Sequence, residues 1–243
     1  MEPKDRLIFA LDVASREEAL NLVELLHNDV GLFKVGWELF MAAGPQFLLD
    51  LVGNYDHSRI FLDLKIYDIL NTLKGALKNI VSGVALVTIH SDLPAGGLTA
   101  ILKEIDGGFK VLAVTLLTSL SGKNLRGLGY AAEYAEDPSR LVLLRAKSAQ
   151  AAGCHGVVCS GQEAGKVKEA CGQDFLVVCP GIRPSWSAVR GDDQERVVTP
   201  FEAMKNGADF IVVGRPIRIA IDPVAAARQV AEEMTAGLAA RGK

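Results

Sequence analysis

No stretch of this 243-residue chain approaches the ~20 consecutive apolar residues that a membrane-spanning helix needs. The opening residues, Met1-Glu-Pro-Lys-Asp-Arg6, are polar and lead into only a short apolar run, so no secretory leader is expected. Basic residues are scattered rather than striped and the formal charge is −3, which argues against a nucleic-acid or membrane partner. The four cysteines, Cys154, Cys159, Cys171 and Cys179, form no Cys-x-x-Cys pair. Reduced thiols in a cytoplasmic protein are therefore the expectation, with no metal centre and no cofactor. Linkers, low-complexity tracts and readable repeats are also missing.

Short apolar, β-branched runs alternate with longer stretches of helical period. The strand candidates are 7–13, 32–36, 60–65, 85–90, 110–117, 156–159, 175–180 and 210–214. Most are apolar on both faces, as parallel strands covered by helices must be. Helix starts are marked by Ser15-Arg-Glu-Glu18, Thr199-Pro-Phe-Glu202, Asp137-Pro138 and Asp222-Pro223. Gly153, Gly172 and Gly207 stand where helices should stop. Eight strand-helix units predict an α/β fold, a single-domain (β/α)8 TIM barrel over residues 1–243, with its site at the C-terminal strand ends. An open doubly wound sheet is the competitor, but Leu11-Asp-Val-Ala14 lacks the glycine-rich turn that usually follows its first strand.

The segment Phe61-Leu-Asp-Leu-Lys-Ile-Tyr-Asp68 breaks the apolar pattern. Strand alternation puts Asp63 and Lys65 on the same face as Phe61, with Leu62 and Leu64 opposite. Opposite charges on a buried face are expensive unless they pair or do chemistry. Asp12 and Lys34 interrupt two other strands in the same way, so Asp12, Lys34, Asp63, Lys65 and Asp68 form a candidate alternating charge network.

The opposite side of the expected barrel reads as an anion site. Strand seven runs into Pro180-Gly-Ile-Arg183 and strand eight into Gly214-Arg-Pro216. Gly214 permits close backbone approach and Arg215 offers a bidentate fork, at the loops where this fold usually holds phosphate. A purely structural Gly-Arg turn is the alternative. A long polar segment between Arg183 and Val197, containing Trp186, Arg190 and Gln194, reads as one lid, and Ser119–Gly129 as a second.

Together these residues resemble the orotidine 5′-monophosphate decarboxylase family across essentially the whole chain. The resemblance is carried by Leu11-Asp-Val13, Phe33-Lys-Val-Gly36, Phe61-Leu-Asp-Leu-Lys65 with Asp68 and Asn71-Thr72, Leu117-Thr-Ser119, Pro180-Gly-Ile-Arg-Pro184, Gln194 and Gly214-Arg-Pro216. It implies conversion of orotidine 5′-phosphate to UMP without cofactor. Lys65, Asp63, Asp68 and Lys34 are implied as catalytic. Ribose would meet Asp12 and Lys34, and the pyrimidine Thr118, with Ser119 or Ser121. The remaining substrate contacts are Asp63, Thr72, Pro180, Arg183, Gln194, Gly214 and Arg215, with the phosphate on Arg183, Gln194, Gly214 and Arg215. It further implies a homodimer in which Asp68 and Thr72 reach the neighbouring subunit's site. Metal-dependent sugar-phosphate relatives share Asp-x-Lys-x-x-Asp but need an acidic ligand on strand two, where this chain has Lys34. A nucleotide-binding protein without catalysis is the non-enzymatic rival. The chain departs from the family pattern at Tyr67 and Leu70, where His and Pro are usual, and in the five residues separating His90 from Gly96-Gly97. The first two imply altered packing, and His90 reads as a core or rim residue.

Overall fold

The structure, a computed structural model, describes residues 1–54, 60–105, 108–187 and 196–241. Eight parallel strands close into a barrel in chain order: β1 (Leu7–Ala10), β2 (Leu32–Val35), β3 (Ile60–Ile66), β4 (Val84–His90), β5 (Lys110–Val114), β6 (Gly156–Val158), β7 (Leu176–Cys179) and β8 (Phe210–Val213). The seam pairs β1 with β8, setting Ile8 beside Val212 and Phe9 beside Val213. Several strands end earlier than the apolar runs suggest. Past Ala10, Leu11 N–H still donates to Lys34 O at 3.0 Å, and the chain then leaves the ladder to form the rim.

The helix signals act as expected. Ser15 Oγ accepts from Glu18 N–H at 3.1 Å, starting the helix Arg16–Leu26. Thr199 and Glu202 cap each other's backbone N–H, with Pro200 opening the helix Pro200–Lys205. Asp137 and Asp222 cap the helices Pro138–Ala151 and Pro223–Ala240. Each such cap is worth ~1 kcal/mol. Gly153, Gly172 and Gly207 adopt φ of +91°, +87° and +109°, left-handed backbone that glycine enters without strain.

Two apolar layers result from strand alternation. Ile8, Leu32, Phe61, Leu86, Leu112, Val158, Val178 and Val212 fill the barrel's interior. Phe9, Phe33, Leu62, Leu64, Val87, Ile89 and Val213 point outward onto the helices. The interior is a packed plug, so only its upper end is free for chemistry.

Three buried cations brace the outer layer. Lys168 Nζ reaches Asp209 Oδ2 at 2.6 Å and the carbonyls of Gln173 and Phe175 at 2.8 and 2.9 Å. Arg145 donates to Thr115 O at 2.6 Å, to Tyr130 OH at 2.9 Å and to Asp92. Arg196 pairs with Glu163 and donates to Leu116 O at 3.2 Å and Leu117 O at 3.3 Å. Burial pushes the Glu163 carboxyl above its ordinary range while Arg196 opposes that rise. Removing one member of a buried pair strands the other charge. Arg196→Met is expected to lower stability by about 3–5 kcal/mol, read from urea unfolding, and Glu163→Gln in the same chain to restore part of it.

Candidate active site

The upper end of the barrel holds a cavity of about 260 Å³. Its floor is the inner layer, Ala10, Phe61, Val114, Val158 and Val212. Asp12, Lys34, Asp63 and Lys65 line it from β1 to β3, Thr118 and Ser119 from the chain after β5, and Pro180, Arg183, Gly214 and Arg215, after β7 and β8, form the wall far from Lys65.

The charged side is a continuous relay. Lys34 Nζ lies 2.8 Å from Asp12 Oδ1 and 3.8 Å from Asp63 Oδ2. Lys65 Nζ lies 2.9 Å from the same Asp63 oxygen. Asp63 is only 8% exposed, so its charge is tolerable because two ammonium groups face it. Attraction between Asp63 and the two amines is stronger than in bulk water, because the carboxylate is nearly buried. Gly36 keeps the spot open, since a Cβ there would come within 3.0 Å of Lys34 Nζ.

Lys65 is held in an unusual way. Its φ is +47°, the one positive value among the described non-glycine residues. The cause is visible in the β3–β4 register: Leu62 pairs with Val87 and Ile66 with Ile89, so Asp63, Leu64 and Lys65 all lie opposite Thr88. This irregularity takes the Lys65 N–H out of the ladder. Thr88 Oγ1 accepts it at 2.8 Å and donates in turn to Asp63 Oδ1 at 3.0 Å. Thr88 is fully buried and resembles any β-branched strand residue, so no signal in the sequence marks it.

At the far wall, Arg183 N–H donates to Val198 O at 2.9 Å and Gly181 adopts φ +73°, turning the chain after β7 over the cavity. A Cβ on Gly214 would meet Ala10 Cβ at 3.2 Å, so glycine there lets the chain after β8 lie against β1. Arg215 and Pro216 then open the single-turn helix Arg215–Arg218. Gln194 and Arg190 lie outside the described residues. Trp186 packs on the outer apolar layer and does not line the cavity. Ser119 lines it, whereas Ser121 spends its side chain capping the helix Gly122–Gly127 with Asn124. The expected second lid is thus partly helical, anchored by the fully buried Leu125.

Asp68 and Thr72 do not join their own chain's cavity. Both are exposed, Asp68 Oδ1 accepting from Ile69 N–H at 2.7 Å and Thr72 lying in the first turn of the helix Leu70–Lys78. Beside them Tyr67 and Ile69 are 62% and 73% exposed. The two departures in this segment meet the altered fourth loop. Tyr67 packs against His90, the rings tilted by 49° with centroids 5.1 Å apart, and Leu70 fills the space that Gly97 leaves free of a Cβ. His90 is a rim residue, its Nδ1 accepting from Asp92 N–H at 3.2 Å, and burial lowers its pKa.

A parallel (β/α)8 barrel with paired acids and amines at one side of its mouth and two arginines at the other defines the class of barrel enzymes that work at their C-terminal strand ends. The chain belongs to the Orotidine 5'-phosphate decarboxylase / HUMPS family, whose model matches residues 5–230. A relative named orotidine 5′-phosphate decarboxylase from Desulfosudis oleivorans is 45% identical over 237 residues, covering 97% of this chain and 95% of that protein. One of the same name from Xanthomonas euvesicatoria is 44% identical over 240 residues, covering 98% and 95%. The crystal structure of orotidine 5′-phosphate decarboxylase from Lactobacillus acidophilus superposes with a TM-score of 0.77 at 33% identity, covering 94% of this chain and 98% of that one.

The left-handed backbone at Lys65 generates a stability prediction. A Cβ in that region costs roughly 1–2 kcal/mol, partly offset by glycine's greater chain entropy. Lys65→Gly is therefore expected to exceed Lys65→Ala in unfolding free energy by about 1 kcal/mol, measured by urea titration of both variants.

Proposed function

We propose that this protein catalyses decarboxylation of orotidine 5′-phosphate to UMP in pyrimidine nucleotide synthesis, using the whole chain as one catalytic domain. The observation that carries this reading is the Lys65 ammonium 2.9 Å from buried Asp63, on one side of a cavity whose far wall carries Arg183 and Arg215.

Breaking the bond from C6 to the carboxylate leaves an electron pair in the plane of the pyrimidine, where the ring π system cannot take it up. A fixed cation at that carbon lowers the barrier, because preorganised charge needs no reorganisation as the anion develops. Lys65 supplies that cation and then the proton that C6 gains, regaining its own from solvent. Asp63 fixes one edge of the ammonium, and Asp68 of a partner subunit would fix another. Lys34 and Asp12 suit the ribose hydroxyls, and Thr118 the pyrimidine. Pro180 flanks the phosphate end, where Arg183, Gly214 and Arg215, with Gln194, hold the dianion. Binding energy gathered there is used to order the reacting end. Lys34, a cation on β2, does not suit the acidic metal ligand that sugar-phosphate relatives need, so activity should survive EDTA.

The assembly proposed is a homodimer with two shared sites. Supporting it are the exposure of Asp68 and Thr72 and the apolar side chains of Tyr67 and Ile69 beside them. The four free cysteines, all buried, suit a reducing cytoplasm.

Lys65→Ala should abolish the loss of orotidylate absorbance while UMP binding stays measurable by calorimetry; substantial turnover by that variant would remove the assigned role. Mixing Lys65→Ala with Asp68→Ala, each inactive alone, should restore about a quarter of wild-type activity, since half of randomly re-formed dimers carry one intact site of two. No recovery after subunit exchange would place Asp68 in its own chain's chemistry or in none.

A further inference from the structure

We propose that Thr88 is a positioning residue for the reaction: its single hydroxyl fixes both the backbone of Lys65 and the carboxylate of Asp63, and so aims the amine at the reacting carbon. The inference rests on the decarboxylase reading given above and extends it to a residue that touches no substrate.

The hydrogen-bond directions leave little freedom. The Lys65 N–H can only donate, so it takes a lone pair of Thr88 Oγ1 at 2.8 Å. The hydroxyl's one proton is then free to point at Asp63 Oδ1, 3.0 Å away. With that oxygen engaged, Asp63 presents Oδ2 to the cavity, where it meets Lys65 Nζ at 2.9 Å and Lys34 Nζ at 3.8 Å. One atom thereby holds Lys65 at both ends, its main chain directly and its ammonium through the carboxylate.

The anchor itself is rigid. Residues 86–90 of β4 run in unbroken register with residues 110–114 of β5, Thr88 beside Leu112. Thr88 has no exposed surface. The positive φ of Lys65 therefore stands against a fixed neighbour, and the N–H that the irregularity releases has its partner in that neighbour. Without the hydroxyl, the N–H would lose that partner. The backbone would then gain by returning toward ordinary strand geometry, moving Nζ away from the position that the cavity floor defines.

Valine matches threonine in shape and removes only the hydroxyl. Thr88→Val is expected to lower kcat by about 10–100-fold, the loss seen when a group that orients a metal-binding side chain is removed. Its KM for orotidine 5′-phosphate and its affinity for UMP should change by less than about threefold, because ribose and phosphate contacts are untouched. Thr88→Ser keeps the hydroxyl and should stay within about threefold of wild-type kcat. If Thr88→Val does not accumulate folded, Thr88→Ala, which is sterically undemanding, is measured by the same criteria. Wild-type kcat in a folded variant lacking the hydroxyl overturns the inference. So does equal impairment of the serine and hydroxyl-free variants, which would make Thr88 a packing residue. Inactivity of the wild-type protein toward orotidine 5′-phosphate would instead sink the parent reading.

Discussion

The structure at the barrel mouth turns on one buried carboxylate. Asp63 sits where the apolar plug ends, and its oxygens are met by Lys65, Lys34 and Thr88, which keeps an ionised group in a nearly dry place. Each of the three also has an anchor or a role of its own beyond that carboxylate. Lys34 is tied to the rim through Asp12, Lys65 to the neighbouring strand through Thr88. The two amines are thus fixed relative to each other by a single shared anion. That arrangement suits a reaction in which a localised negative charge appears and must find a cation already in place.

Strain enters at the same point. A regular β3 would carry Lys65 N–H in the ladder and leave its side chain to ordinary strand geometry. The three-against-one register opposite Thr88 instead raises the backbone into the left-handed region. Such conformers persist only where their surroundings over-determine them. Here the surroundings are the rest of the sheet, and the residue under strain is the one assigned the chemistry.

Much of this was legible before any coordinates. Parallel strands buried on both faces read as continuous apolar runs, so the eight strands and the closed barrel followed from composition and caps. Asp63 and Lys65 faced inward with Phe61 because alternation holds along β3 up to that point. What escaped notice was whatever needed a second strand or a distant loop. Left-handed backbone is signalled by glycine or asparagine, and lysine carries no such mark. Thr88 acts only through its register with β3. Arg196 and Arg145 take their partners from segments far along the chain, Leu116 and Asp92 among them. Tyr67 and Leu70 read as isolated departures, yet they touch the two sides of the altered fourth loop, Tyr67 at His90 and Leu70 at Gly97. They are halves of two local accommodations.

The seam between β1 and β8 bears on how the protein comes into being. Asp12 is synthesised long before Arg215, yet they stand on adjoining strand ends. The Asp63 cluster draws only on β1 to β4 and the residues that follow them, but the pocket stays open-sided until Ile8 finds Val212. Closing that gap is the least local event in the fold, and so among the slowest to search for. Half-made barrels consequently expose the raw edges of two strands, which is where vigilance by chaperones has its physical purpose.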